Sequence, residues 1–390
     1  MTPVAGELTI ELTTRDGVVG VVEIVSTRPL LADRLFAGRP ADQALALVPQ
    51  VYSICGRSQA IAAELALQAA RGGDGDCQPR VSNLETEIAQ ETLWRALLDW
   101  PRDIGAGADA AAVAALRRAL AVDPAGAHEA TRATLREVVE RAVLGGSARD
   151  WFEHEHVPAF EIWIARATTP AARYLGAVQR DGPRHGAPRT AHEVPLLPSL
   201  AQPPVAAQIA EALAADENFA RAPQLDGRSA ETGAVGRCAD HPLVAALLAV
   251  FGRSTLARLA ARLTELARIA AGAPAQVPMC GALGVAPRAG LGWVETARGA
   301  LAHLIELDAD GERIARYRIL APTEWNFHPC GALAAGLLGV HEPRRADLNR
   351  RALWLLQALD PCVEHTLSID GSRVAPGSLA AVAAPGVGRA

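Results

Sequence analysis

The chain has 390 residues, a formal net charge of −5 and a hydrophobic fraction of 50%, whereas only 4% of its residues are aromatic. A chain of this length can bury a large core and has room for two or three domains. Because alanine, leucine and valine must fill most of that core, the composition favours helices. The nearly balanced charge gives no reason to expect a nucleic-acid partner or an anionic membrane surface.

We expect no targeting signal in this sequence. No apolar run reaches the roughly 20 residues that cross a bilayer. The first residues, MTPVAGELTIEL, have neither the basic nor the apolar region of an export signal. We therefore expect a cytoplasmic protein with no membrane partner. The six cysteines form no CxxC pair. In a reducing compartment they should be free thiols unless they hold a metal.

The first part of the chain predicts a β-hairpin followed by helices. Residues 7–25 alternate between apolar and polar types around the turn Asp16-Gly17. Ser82 and Glu85 fit a capping box at the start of one helix. Helices are predicted at 58–70, 82–100, 108–122 and 126–144.

The second part predicts more helices and another hairpin. Residues 181–204 are rich in proline, glycine and arginine, which is typical of a connector. Residues 297–322 predict a hairpin that turns at Asp310-Gly311. Helices are predicted at 243–271 and 344–358. We expect one domain of α+β class that is mainly α. Its predicted regions are a β-rich part (1–50), a helical part (51–180), a connector (181–204), a helical core with a hairpin (205–365) and a loose tail (366–390).

Two short stretches contain cysteines in positions that favour a thiolate or a metal ligand. In SICGRS, Cys55 comes just before a predicted helix, where backbone N–H groups and the helix dipole favour a thiolate. In LDPCVEH, Cys362 and His365 are three residues apart, which can place both on one metal. Asp360 can orient a ligand there without binding the metal itself. The alternative is that each cysteine is a small buried apolar residue.

Five stretches in the same order resemble motifs of the large subunit of nickel–iron hydrogenases. This resemblance implies a hydrogenase large-subunit-like fold with a central helical bundle and peripheral β-hairpins. The stretches are RLFAGRPADQALALVPQVYSICGRSQA, DGRSAETGAVGR, GWVETARGALAHLI, APTEWNFHPCG and LDPCVEH.

The departures from that family concern the metal ligands. In the enzymes four cysteines bind nickel, and the second of each pair also bridges to an iron that carries cyanide and carbon monoxide. The resemblance keeps the first cysteine of each pair, as Cys55 and Cys362. It places Ser58 and His365 where the second cysteines stand. Cys330 corresponds to an arginine over the diatomic ligands of the iron.

These replacements argue against a nickel site. Four thiolates suit nickel, whereas a neutral serine hydroxyl is a poor ligand for a soft metal. We therefore expect no nickel and no hydrogen turnover. Cys55 and Cys362 remain to hold one iron with its cyanide and carbon monoxide ligands transiently. Cys330 is either a third ligand or a small residue where the arginine was lost. His365 is either a ligand or a hydrogen-bonded core histidine.

Other residues near the motifs are candidates for contacts to the cyanides. Metal-bound cyanide accepts hydrogen bonds, and we expect donors at Arg57, Ser58 and Arg298. The sequence also predicts buried ion pairs that hold the scaffold in shape. The resemblance suggests the pairs Glu231–Arg237 and Glu295–Arg298.

The altered motifs resemble those of hydrogenase accessory proteins of the HupK/HoxV type. That resemblance implies a maturation scaffold that receives the iron–dicyanide–carbonyl unit and passes it to the hydrogenase large-subunit precursor. It also implies two further partners, the small chaperone and the iron-loading scaffold of the Hyp machinery. Two alternatives stay open. One is a metal-free chaperone that mimics the large subunit, and the other is a catalytic hydrogenase with an unusual ligand set.

Overall fold

The computed structural model describes residues 6–153, 156–182, 184–187 and 194–374 of the chain. Part of the connector predicted at 181–204 and most of the tail predicted at 366–390 lie outside these residues. The division of the chain into regions of one domain stays a prediction.

Helices account for most of the regular structure, as the composition predicted. The helices in the described residues are α1 (Ala32–Phe36), α2 (Ala41–Val51), α3 (Gly56–Ala70), α4 (Gln78–Trp94), α5 (Trp100–Asp103), α6 (Ala110–Val122), α7 (Glu129–Val138), α8 (Ala148–Phe152), α9 (Val157–Arg166), α10 (Pro170–Asp181), α11 (Pro203–Ala215), α12 (Ala234–Arg237), α13 (Pro242–Phe251), α14 (Thr255–Ala270), α15 (Pro322–Asn326), α16 (Ala332–Leu337) and α17 (Arg345–Leu359). The strands are β1 (Glu7–Arg15), β2 (Val18–Ser26), β3 (Cys280–Ala286), β4 (Ala289–Thr296), β5 (Gly299–Leu307), β6 (Ile314–Leu320), β7 (Glu364–Ile369) and β8 (Ser372–Arg373). The predicted α+β, mainly α, class is confirmed.

The first sheet joins the two ends of the described chain in the order β2-β1-β7-β8. The predicted N-terminal hairpin is confirmed, and its turn uses positive φ angles at Asp16 and Gly17. β7 pairs with β1 in parallel, with Leu8 opposite His365. This pairing corrects the prediction of a loose tail from residue 366, because residues 366–369 complete β7 and β8 follows. Distant pairing of this kind leaves no local signal in the sequence.

The second sheet is antiparallel, in the order β3-β4-β5-β6. The hairpin predicted around Asp310-Gly311 is confirmed as β5 and β6. β3 and β4 were not predicted. Every residue of β4 is buried, and α3 packs directly on its backbone. A Cβ atom on Gly290 or Gly292 would overlap the backbone of α3 at Ala66 or Ala62. The two glycines therefore allow α3 to approach the sheet closely.

Several helix boundaries differ from the predictions for physical reasons. α4 begins at Gln78, so Ser82 lies inside it and donates to the carbonyl of Ala125 at 2.8 Å. The predicted capping box is therefore wrong. The helix predicted at 243–271 is two helices, α13 and α14. Gly252 adopts a φ of +63°, and Ser254 caps α14 by accepting a hydrogen bond from the N–H of Ala257.

α14 runs through the interior, and every residue in it except Ile269 is buried. It nevertheless carries four charged side chains, at Arg258, Arg262, Glu265 and Arg268. Buried charges are tolerated only when they are paired and hydrogen-bonded. Their partners therefore connect this helix to the surrounding segments. None of the helices in the described part of the chain has the length and apolar character needed to span a bilayer.

Candidate functional site

Cys55 is held where a 3₁₀ turn meets a helix. It closes the turn Ser53–Cys55 and is the N-cap residue of α3. Its side chain is half-buried. The amide of Gln59, one helical turn later, donates to the Cys55 sulfur at 3.5 Å. The local sequence thus fixes this thiol at the start of a helix, as predicted.

Cys362 lies between the end of α17 and the start of β7. The chain leaves α17 through Asp360, which adopts a left-handed conformation with a φ of +53°. The Cys362 thiol is buried. It lies 2.9 Å from the hydroxyl of Thr323 on α15, and the Nη1 of Arg28 donates to it at 3.5 Å. Segments from both ends of the chain therefore meet at this sulfur.

The two thiols share one cavity of about 200 Å³. This cavity, called here the thiol cavity, has room for several small atoms or diatomic groups, because one water takes up about 30 Å³ of liquid. Its lining residues come from the loop after β2, from the end of α2 and the start of α3, and from the segment before β7. They are Arg28, Pro29, Leu31, Val51, Tyr52, Ile54, Cys55, Gln59, Cys362 and Val363.

The charge state of Cys55 differs from the expectation. Burial is the main cause that raises the pKa of this thiol to about 12, and electrostatic interactions with Cys362 and Glu87 add to the effect. The positive charge of Arg298 and the Gln59 hydrogen bond oppose it without reversing it. A helix N-terminus alone therefore does not make Cys55 a thiolate. A metal that binds here must displace the thiol proton.

A cluster of arginines lies behind the cavity and centres on Asp360. The carboxylate of Asp360 contacts Arg262 at 2.5 Å, Arg95 at 2.9 Å and Arg298 at 3.5 Å. Burial alone raises the pKa of Asp360, but the three guanidinium groups hold it well below its usual range. Asp360 stays ionised and fixes the turn that presents Cys362, two residues later. Its role in orienting a metal ligand, which the sequence suggested, stays a prediction.

Arg298 was predicted to pair with Glu295, and that prediction is wrong. It instead binds Glu91 at 2.9 Å and Asp360. Its charge interacts with both Cys55 and Cys362. Arg298 is thus near both thiols, and its role as a donor to bound cyanide stays a prediction.

Ser58 and Arg57 are tied to one carboxylate at the start of α3. The backbone N–H of Arg57 and that of Ser58 each donate to Glu87 at 3.0 Å. The hydroxyl of Ser58 also donates to Glu87. Ser58 is buried and does not line the thiol cavity. Its contact with cyanide stays a prediction, although its hydroxyl already has a partner.

The structure does not bring the other two predicted metal ligands to the cavity. Cys330 is exposed, and its backbone N–H donates to the Nδ1 of His328 at 3.0 Å. His365 is exposed on β7 rather than buried in the core. Within the described ranges, no three His, Cys, Asp or Glu residues are grouped so that they can hold a metal. The predicted set of four ligands is therefore reduced to the pair of thiols at Cys55 and Cys362.

The second predicted ion pair, between Glu231 and Arg237, is also wrong in its partners. Glu231 binds Arg258 of α14 at 2.6 and 2.9 Å. Arg237 binds Glu265 of α14 at 2.6 and 2.7 Å and Glu295 of β4 at 2.8 Å. The residues are buried and paired as expected, but α14 supplies the partner charges, and none of the five motif stretches includes that helix.

Three polar residues at the site were not predicted. Arg28 and Gln59 line the cavity, and Thr323 contacts Cys362 from outside the lining. Gln59 follows Cys55 by four residues, so helix periodicity could have indicated it. Thr323 belongs to the APTEWN motif. Arg28 has no signal in the sequence, because its contact with Cys362 spans 334 residues.

Curated proteins of similar sequence cover nearly the whole chain. Hydrogenase expression/formation protein HoxV of Cupriavidus necator is 35% identical over 379 residues, which cover 92% of this chain and 95% of the relative. Hydrogenase expression/formation protein HupK of Rhizobium leguminosarum bv. viciae is 32% identical over 382 residues, which cover 94% and 97%. HupK of Azotobacter vinelandii is 30% identical over 370 residues, covering 94% and 99%. No protein-family model matches the chain.

Solved structures show the same fold at low identity. The Ni-Fe-Se hydrogenase from Desulfovibrio vulgaris Hildenborough in the reduced state matches with a TM-score of 0.58 and 15% identity, covering 90% of this chain and 94% of that chain. The Ni-Fe-Se hydrogenase from Desulfomicrobium baculatum matches with a TM-score of 0.51 and 15% identity, covering 90% and 95%. The predicted hydrogenase large-subunit-like fold is therefore confirmed. The curated relatives are named as expression or formation proteins, and the chain belongs to the HoxV/HupK family of hydrogenase expression/formation proteins.

Proposed function

We propose that this protein is a scaffold in hydrogenase maturation that holds an iron unit with cyanide and carbon monoxide ligands and passes it to the hydrogenase large-subunit precursor. The iron unit is cargo, and Cys55 and Cys362 are its protein ligands. The observation that carries the proposal is that these two thiols line one cavity of about 200 Å³. The names of the curated relatives support the maturation role.

The polar groups around the cavity suit an anionic cargo. Gln59 donates to the Cys55 sulfur, and Arg28 donates to the Cys362 sulfur, both at 3.5 Å. A neutral thiol is a weak acceptor, whereas a thiolate or a metal-bound cyanide is a strong one. These donors are therefore better used when the thiols are deprotonated and the cargo is present. The charges of Arg28 and Arg298 offset the negative charge of two thiolates.

The ligand set favours a scaffold over a hydrogenase. In the hydrogenases four thiolates bind nickel and two of them bridge to iron, whereas the described residues that line this cavity include two thiols, Cys55 and Cys362. The hydroxyl at position 58 donates to Glu87, and His365 is exposed on β7. Two protein bonds to one iron also leave few bonds to break when the cargo is released. We therefore propose that the protein does not turn over hydrogen.

The proposed partners follow from the maturation role. They are the hydrogenase large-subunit precursor, which accepts the cargo, and two components of the Hyp machinery, the small chaperone and the iron-loading scaffold. We propose that these exchanges take place in the cytoplasm.

Infrared spectroscopy tests the proposal directly, because metal-bound cyanide and carbon monoxide absorb where protein does not. Protein purified without air from its native host should show these bands. Cys55→Ala and Cys362→Ala should each remove them, whereas Cys238→Ala should keep them, since Cys238 is buried in a separate apolar cluster. Circular dichroism checks that all three variants fold. Bands at full strength in both site variants would show that the assigned ligands are wrong.

The same preparation separates the alternatives. A metal-free chaperone would show no bands and would still bind the large-subunit precursor. A catalytic hydrogenase would contain nickel and would consume hydrogen with a dye acceptor. Either result would replace the scaffold proposal.

A further inference from the structure

A second pair of cysteines lies away from the thiol cavity. Cys77 is the residue before α4, and Cys280 begins β3, so 203 positions separate them in the sequence. The thiol of Cys280 donates to the backbone carbonyl of Cys77 at 3.7 Å. The side chain of Cys280 also lowers the pKa of the Cys77 thiol, so the two side chains interact. The fold therefore brings together two cysteines to which the sequence motifs assign no role.

Both cysteines line a large cavity. It has a volume of about 740 Å³ and lies between α4, α6, α7 and the segment that joins α14 to β3. It shares no lining residue with the thiol cavity. Cys77 is half-buried and Cys280 is buried. A small reagent can therefore reach Cys77 through this cavity without passing Cys55 or Cys362.

The pKa values of the two thiols are shifted in opposite directions. The hydrogen bond from Cys280 is the main cause that lowers the pKa of Cys77, and the positive charge of Arg80 adds to it. Burial and the charge of Asp76 oppose the shift. The same hydrogen bond raises the pKa of Cys280. Cys77 is therefore the better nucleophile, and Cys280 is a protonated thiol beside it.

We propose that Cys77 and Cys280 form a modification site for two-electron thiol oxidants of the peroxide class, which convert the pair to a disulfide. The sulfur of Cys77 attacks one peroxide oxygen, the O–O bond breaks, and hydroxide leaves with the thiol proton of Cys77 as water. The sulfur of Cys280 then attacks the sulfenic acid on Cys77. The S–S bond forms, and the hydroxyl leaves as a second water with the proton of Cys280. The two sulfurs together give two electrons to the peroxide.

The disulfide would fasten one loop to one strand. Residues 71–77 connect α3 to α4, and Cys280 belongs to the sheet on which α3 packs. Gly75 in this loop already lies against Ala282 of β3 and Leu65 of α3. Oxidation would therefore tie the C-terminal end of α3, the helix that Cys55 begins, to β3.

Peptide mass spectrometry tests the proposal on the full-length, metal-free protein. The reduced protein is treated with a small excess of hydrogen peroxide, its free thiols are blocked with N-ethylmaleimide, and the digest is searched for cross-linked peptides. The expected product is one peptide pair joined through Cys77 and Cys280 that is two hydrogens lighter than the sum of its parts. Recovery of both cysteines as maleimide adducts, or of Cys77 as a sulfinic acid without the cross-link, would overturn the proposal.

Matched variants make the test specific. Cys77→Ser and Cys280→Ser should each abolish the cross-link, whereas Cys238→Ser should leave it unchanged, because the Cys238 thiol is buried and its pKa is raised to about 12 by that burial. A thermal melt gives a second readout. Peroxide should raise the Tm of the wild type and of Cys238→Ser, and dithiothreitol should reverse the rise. An equal rise in Cys77→Ser would refute the site.

Discussion

Two neighbouring regions of the molecule, the charged helix α14 and the thiol cavity, differ in how completely their polar side chains are paired. On α14 each buried charge meets a full partner: Arg258 binds Glu231 through two hydrogen bonds, and Arg262 contacts Asp360 at 2.5 Å. In the cavity, Arg28 and the side-chain amide of Gln59 donate to sulfur, both at 3.5 Å, and Arg28 has a further, longer contact with Glu324 at 3.9 Å. The two regions lie side by side, because Asp360 is two residues from Cys362.

This difference indicates what each region does. A network of buried, fully paired charges holds segments in position and contributes little net stability when it is intact. Removal of one partner, however, lowers the free energy of unfolding strongly. A donor that makes only a weak contact in the cavity contributes little to the free energy of unfolding. Its removal should therefore destabilise the protein only slightly. The comparison therefore predicts large stability effects on α14 and small ones in the cavity.

The largest expected effect comes from Asp360→Asn. The change removes from the buried Arg262 the carboxylate that it contacts, and it leaves Arg95 and Arg298 with only Asp99 and Glu91 as carboxylate partners. We expect the free energy of unfolding to fall by about 3–5 kcal/mol in urea denaturation. Asp42→Asn is the matched control, since Asp42 pairs with Arg71 on the surface, and an exposed pair is worth about 1 kcal/mol or less. Equal losses in both variants would contradict the comparison.

A smaller effect on stability is expected at Asp103. This carboxyl is buried, and the nearby charges of Arg102 and Arg95 do not offset its burial. Burial raises its pKa to about 7, and the charge of Asp99 adds to this. Its Oδ2 atom has no hydrogen-bond partner. Between the usual value of 3.8 and about 7 the unfolded chain gives up this proton and the folded chain keeps it. Stability from this group is therefore present at low pH and is lost as pH rises through about 7.

Asp103→Asn should remove this loss. The difference between the two pKa values corresponds to on the order of 4 kcal/mol at most. We expect the variant to be more stable than the wild type at pH 8 and to differ little at pH 4, as measured by urea denaturation at both values. A variant that is equally destabilised at both pH values would contradict an uncompensated charge at this site.

The smallest effect on stability is expected for Arg28→Gln in the cavity. Arg28 contacts Cys362 at 3.5 Å and Glu324 at 3.9 Å, and burial already raises the pKa of Glu324 so that it can take up a proton. We expect a loss of about 1 kcal/mol, because both contacts of Arg28 are long. The infrared bands of the proposed cargo should nevertheless weaken. Arg39→Gln, a change at an exposed arginine, should leave both stability and bands unchanged.

Sequence patterns predicted a structural feature correctly where neighbouring residues alone determine it. Asp16-Gly17 and Asp310-Gly311 both mark hairpin turns, since such residues accept the backbone angles that turns require. The order of the motifs correctly placed Cys55 and Cys362 together. In contrast, the partners of Glu231 and Arg298 depend on how α14 and α4 are oriented in the folded core. A motif names the charged residues but not the distant charges that will meet them.

The site residues that escaped prediction have the same explanation. Arg28 lies near Cys362 because β1 pairs with β7 in the folded protein. No spacing in the sequence indicates this pairing. Cys330 was misplaced because motif order gives position along the chain and not the direction of a side chain. The raised pKa of Cys55 likewise depends on burial, which the helix N-terminus alone does not reveal.

The bare backbone of β4 at Gly290 and Gly292 has a consequence for the first thiol. Because main-chain atoms of α3 lie directly against these two glycines, a methyl group added at either position would force the helix away from the sheet. Cys55 is the N-cap residue of that helix, so such a change is expected to move its sulfur relative to that of Cys362 without altering either cysteine.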